Sequence, residues 1–201
     1  MTVKIGQNPD SSFDEPLKLL SDCHRRIEKF LDILIRVVHD CPGQRLNEEY
    51  QAALTAALKY FRNAAPWHTR DEEDSLFPRM RLLEDQRVVD AMAPIDQLED
   101  DHVHAEKLHV QVETLGQQWL SDDQLPAQDV EQLGQLLSEL REKYRYHIRE
   151  EDEVIFPLAG QVLNTQQLQE IGMEMAERRG IDPDHYQPRC KHAKTYQTSN
   201  Q

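Results

Sequence analysis

Two eleven-residue segments of the chain read almost alike: His68-Thr-Arg-Asp-Glu72-Glu-Asp-Ser-Leu-Phe77-Pro78 and His147-Ile-Arg-Glu-Glu151-Asp-Glu-Val-Ile-Phe156-Pro157. Five of the eleven positions are identical, four more exchange Asp for Glu or Leu for Ile, and the segments lie 79 residues apart. A second pair keeps nearly the same offset, 78 residues: Leu20-Ser-Asp22-Cys-His24 with Leu98-Glu-Asp100-Asp-His102. On a helix, residues i and i+4 differ by only about 40° around the axis and about 6 Å along it, so each His-x3-Glu projects an imidazole and a carboxylate from one face. With His24 and His102 on two further helices, four imidazoles and two carboxylates converge. Six such groups are too many for one tetrahedral zinc and suit two metals bridged by carboxylates. The ligand types favour iron, manganese or zinc over calcium or magnesium. A nitrogen-rich set carries less negative charge than a carboxylate-rich one, which disfavours the ferrous form less and suits redox chemistry with a small oxidant.

These residues resemble the hemerythrin-like HHE cation-binding domain family, over roughly residues 14 to 160. The family pattern H…HxxxE…H…HxxxE is matched one by one by His24, His68, Glu72, His102, His147 and Glu151, and the Phe-Pro that closes each HxxxE segment resembles the family too. The resemblance implies a non-haem di-iron centre, two iron ions with an oxo or hydroxo bridge, with manganese or zinc as alternatives. It also implies binding of dioxygen or another small oxidant for sensing, storage or scavenging, with an electron-donor or signalling protein as partner. The alternative is a di-iron enzyme that reduces peroxide or nitric oxide, or an iron storage or buffering protein. Glu106 stands where oxygen-carrying members have a second histidine on the third helix, which argues against an oxygen store of their kind. The roughly thirteen residues before the first helix are short for the cysteine-containing domain of the iron-centre repair branch.

Helices must position these groups. Seven glycines and long stretches of Leu, Glu, Gln, Ala, Arg and Lys give an all-α expectation. The first helix begins at Asp14-Glu15-Pro16 and stops at Cys41-Pro42-Gly43. A second runs from Glu48 into the mid-80s, a third from Pro94 to Trp119 and a fourth from Pro126 to the early 160s. Short connections between them predict an antiparallel, up-down-up-down four-helix bundle. The expected organisation is an N-terminal arm over 1–13, the bundle over 14–163, and over 164–201 a short helix, Gln166 to Arg179, followed by an extended tail.

Other polar residues receive plainer roles. Asp71 and Glu150, at i+3 from their histidines, are placed to replace or supplement the neighbouring ligand, whereas Glu73 and Asp152 should face away. Glu28 and Glu106 face the metal side as hydrogen-bond partners, added ligands or surface charges. His39 is expected to meet a helix dipole, His104 to face solvent, and His109 to sit in the core or along an access path. Trp67, Tyr146, Tyr60 and Tyr144 are read as core, with a tyrosine hydrogen bond to a metal-bound ligand as the alternative. Phe77-Pro78 and Phe156-Pro157 should pack and kink their helices, Cys23 is given no ligand role, and His185, Cys190 and His192 belong to a surface tail.

With 37 acids against 23 bases the net charge is −14, which excludes nucleic-acid binding by overall charge. No run of about 18 apolar residues predicts a membrane span, and the N-terminus lacks a signal-peptide pattern. Three scattered cysteines without CxxC fit free thiols. The expected location is the cytoplasm.

Overall fold

The structure is a computed structural model that describes residues 11–181; the rest of the N-terminal arm and the His185, Cys190 and His192 set lie outside the described residues. Helix α1 (Pro16–Asp40) starts with proline in its first turn, where the missing N–H costs nothing. It stops before Gly43, whose φ of 70° needs glycine and where a Cβ would come within 2.3 Å of the Leu125 carbonyl oxygen. Helix α2 (Glu48–Asn63) is capped by Asn47, which accepts the Tyr50 N–H. Proline at 66 cannot donate into the ladder, so the chain restarts as α3 (Ala65–Asp71). A π turn (Glu72–Leu76) leads into α4 (Phe77–Arg81), and α5 (Gln86–Asp90) forms the connection. The second helix expected from the sequence is thus three helical segments and ends at Arg81. Helix α6 (Met92–Asp122) is 31 residues long. Helix α7 (Ala127–Glu150) continues through a second π turn (Glu151–Ile155) into α8 (Phe156–Val162). A capping box at Asn164 and Gln167 opens α9 (Thr165–Arg178). The described residues contain no strand, and none of their helices is long and apolar enough to cross a membrane.

Helix α1 packs against α2 and α7, while α6 packs against α7 and α2, so the four long elements enclose one core. That core is divided. Ile27, Leu31, Leu54, Leu58, Val112, Trp119, Leu133 and Leu140 belong to one apolar cluster. Leu20, Leu76, Phe77, Met80, Leu98, Ile155, Phe156, Ile171 and Met175 belong to another. His24 falls between Leu20 and Ile27 on α1, His102 between Leu98 and Ala105 on α6, and Glu151 between Leu140 and Ile155. The polar residues therefore form a layer across the core, and apolar packing above and below holds it.

Helix α9 closes the second cluster against α1 and α3. Gly172 is required there, because a Cβ would meet the Phe13 carbonyl oxygen at 2.0 Å. Asp71, wholly buried, accepts from Arg178 Nη1 at 2.8 Å and Arg179 Nη2 at 2.7 Å. Ser75 and Glu174 form a further hydrogen bond beside it, and Arg79 Nη2 donates to Glu174 Oε1 at 2.7 Å.

Candidate metal centre

The structure brings all six sequence-predicted residues together. His24, His68, Glu72 and Glu151 each offer one ligand atom within 4.8 Å of the others, and His102, His147 and Glu151 do the same. The imidazoles form two pairs: the rings of His24 and His68 lie 4.7 Å apart, those of His102 and His147 4.6 Å apart. Both carboxylates reach across the pairs. Glu72 Oε1 is 3.3 Å from His68 Nε2 and 4.0 Å from His24 Nε2, while its Oε2 is 3.4 Å from His102 Nε2. Glu151 Oε2 is 3.0 Å from His24 Nε2 and 3.2 Å from His147 Nε2.

The outer nitrogens are held by residues that sequence reasoning turned outward. His102 Nδ1 donates to Glu73 Oε1 at 2.8 Å, and His24 Nδ1 lies 3.1 Å from Asp152 Oδ1. The expectation that Glu73 and Asp152 face away assumed 100° per residue throughout. Instead the Phe77 N–H bonds to the Glu72 carbonyl and the Phe156 N–H to the Glu151 carbonyl, each spanning five residues. Such a turn winds more slowly and brings the next acid back toward the neighbouring helix. Pro78 and Pro157 explain it, since each lacks an N–H and crowds the carbonyl four residues earlier. The kink expected at Phe-Pro is therefore a π turn. The contacts cross between repeats: the first repeat's Glu73 hydrogen-bonds the second repeat's His102, and the second repeat's Asp152 lies at ion-pair distance from the first repeat's His24, whose Nδ1 has no hydrogen bond. Glu73 and Asp152 share the 79-residue offset and are both acidic, a signal the alignment of the repeats contained.

Among the remaining polar residues, Glu28, Glu106 and His104 stand at the surface, as the sequence allows. Asp71 is turned to Arg178 and Arg179, away from the ligand cluster. Tyr146, read as core, is 62% exposed. His39 pairs with Asp40, and His104 with Glu139. Asp101, unnoticed in the sequence, accepts from Lys143 Nζ at 2.9 Å and lies 3.9 Å from His147 Nδ1.

The electrostatics test whether cations fit. Glu72 and Glu151 are 0% exposed, and none of their four oxygens has a hydrogen-bond partner; nor do His24 Nε2 and His102 Nε2. They lie at ion-pair distance from one another, with the ligand atoms of each group within 4.8 Å, close enough for a cation to be shared among them. Burial, reinforced by Glu151, drives the Glu72 carboxyl well above its usual range. Burial also opposes charge on Glu151, but His147 and His24 outweigh it and hold that carboxyl low. Burial keeps His68 neutral, its lone pair available. For His24 burial is again the largest influence, offset by Asp152 and Glu151, which raise it to about 9. Two buried carboxylates in one layer cost several kcal/mol per charge unless compensated. Cations between the imidazole pairs would supply that compensation, so the residues fit a metal centre.

Beside this layer lies a cavity of about 330 Å³, reached by His24, His68, His102 and His147. Its remaining wall includes Ile27, Phe61, Ile148, His109 and Tyr144, with Thr69, Arg70 and Glu106 also lining it. His109 thus lines an approach to the cluster.

Helices that surround a buried His/Glu cluster able to hold metal define a hemerythrin-like metal-binding protein. The chain matches the hemerythrin HHE cation-binding domain over residues 15–159 and belongs to that family. It is also similar to an uncharacterized protein of Haemophilus influenzae, with 29% identity over 180 residues that cover 85% of this chain and 94% of that protein.

Proposed function

We propose that the chain is a non-haem di-iron protein that binds dioxygen or another small oxidant for sensing, storage or scavenging. His24 and His68 hold one ion, His102 and His147 the other, and Glu72 and Glu151 serve both. The metal-binding unit is residues 14–163, with α1, α2–α4, α6 and α7–α8 as an up-down-up-down antiparallel bundle. The observation that carries the reading is the placement of two imidazole pairs on either side of two buried carboxylates without hydrogen-bond partners.

When bound, two irons supply electron transfer to and from a small oxidant. The chain's residues prepare that chemistry. Glu73 accepts a hydrogen bond from His102 Nδ1 and so turns its Nε2 inward, while Asp152 stands 3.1 Å from His24 Nδ1 and favours a proton there by charge. Ile27, Phe61 and Ile148 limit water at the cavity wall. Free Cys23 and Cys41 suit a reducing cytoplasm, where an electron-donor protein would be met.

Anaerobic loading with ferrous iron followed by metal analysis tests the assignment. About two irons per chain are expected, and fewer than one overturns the dinuclear reading. Air should then produce an oxo-bridged charge-transfer spectrum. Its reversal on deoxygenation separates a carrier from an enzyme that consumes the oxidant, and many irons per chain would indicate storage.

A further inference from the structure

The cavity contains one polar pair that the ligand cluster does not use. His109 Nε2 and the Tyr144 hydroxyl are 2.8 Å apart in a hydrogen bond, and both residues line the cavity. Phe61 stacks on the His109 ring at 4.4 Å and fixes its orientation. Burial pulls the His109 pKa down to about 4, so the ring is neutral. Burial, with a smaller push from Glu72 and Glu151, raises that of Tyr144, so the phenol keeps its proton.

A neutral imidazole and a phenol together own two donors, and the one bond between them uses one. A donor is left over whichever way that bond runs. His109 Nδ1 is buried without a partner. An orphaned lone pair there is more tolerable than an orphaned N–H, since buried unpaired donors are the rarer case. The imidazole proton therefore belongs on Nε2, donating to the Tyr144 oxygen, and the phenol O–H is the unused donor. Tyr144 lies one helical turn before His147, and His109 two turns beyond His102, so the pair stands on the His102–His147 side.

We propose that Tyr144, held by His109, donates a hydrogen bond to the outer atom of a small acceptor ligand bound at the His102–His147 side of the cavity. Tyr144 is then a residue that selects ligands with a hydrogen-bond-accepting terminal atom, such as reduced oxygen species or small anions, over purely apolar guests. The inference rests on the metal-binding reading above and sharpens its ligand class.

Azide binding to the iron-loaded, oxidised chain provides the test, with the metal content of every variant measured alongside. Tyr144→Phe should load iron fully and bind azide about five-fold more weakly. The azide antisymmetric stretch of the wild type should shift in deuterated solvent, and that shift should vanish in Tyr144→Phe. His109→Gln, whose amide keeps an N–H to offer Tyr144, should retain the deuterium-sensitive shift. In the metal-free chain, nitrogen NMR of the imidazoles should show His109 protonated at Nε2. A fully loaded Tyr144→Phe variant with wild-type azide affinity and spectrum overturns the inference alone, as does a proton on His109 Nδ1. A wild-type chain that takes up no iron overturns the metal-binding reading and this inference with it.

Discussion

At the scale of single residues, the candidate centre depends on carboxylates that touch no proposed ligand atom but hold the far side of an imidazole. Glu73 hydrogen-bonds His102 and Asp152 lies at ion-pair distance from His24, each histidine contributed by the other repeat. Replacing such a partner with an amide keeps the shape but weakens its hold on the Nδ1 proton. Glu73→Gln and Asp152→Asn should each lower iron affinity by about 10- to 100-fold, read by competition with a chelator. Exposed Glu153, next to Asp152 and bonded to Arg149 Nε at 3.2 Å, is the matched control: Glu153→Gln should leave affinity unchanged.

At the scale of elements, the two π turns set where the acids point. Pro78→Ala or Pro157→Ala returns an N–H to the ladder and removes the ring's clash with the preceding turn. The segment can then relax toward ordinary α-helix, swinging Glu73 or Asp152 off its histidine. Iron affinity should fall by about 10-fold or more, while thermal stability of the metal-free chain holds or rises. Loss of stability in step with affinity would point to general unfolding instead. These turns also mark the limit of what the sequence discloses. The i, i+4 spacing made the two His-x3-Glu pairs legible, and the repeat located His24 and His102 without further information. The winding of the backbone after Glu72 and Glu151 was not legible from a constant angle per residue, which is why Glu73 and Asp152 were turned outward. Asp71 was ambiguous for another reason: its partners Arg178 and Arg179 stand 107 and 108 residues away, and no local pattern links them. Helix α9 was found within a residue or so, because Asn164, Gln167 and the spacing of Leu168, Ile171 and Met175 are local signals.

At the scale of the whole molecule, two repeats of common pattern meet at one polar layer, and α9 packs against the first of their two π turns. Around Asp71 and Ser75 the first turn is pinned by Arg178, Arg179 and Glu174. At the matching positions of the second turn, Glu150 is half-buried and Val154 is 44% exposed. The repeat thus supplies a symmetric ligand set, and the segment after it makes the surroundings unequal. Glu72 and Glu151 each come within 4 Å of a histidine from both imidazole pairs. In the proposed di-iron centre, whichever imidazole pair captured an ion first would also fix Glu72 and Glu151, the same carboxylates the other pair would require. The second uptake then meets a prearranged half-site and escapes part of the ordering cost. Substoichiometric iron should consequently leave a mixture of empty and doubly loaded chains, with singly loaded chains below the statistical share, as native mass spectrometry would count them. Independent filling would give the binomial distribution. In the proposed centre the crossed carboxylates would act as a threshold device that favours a complete two-ion centre over a solitary, mismatched ion.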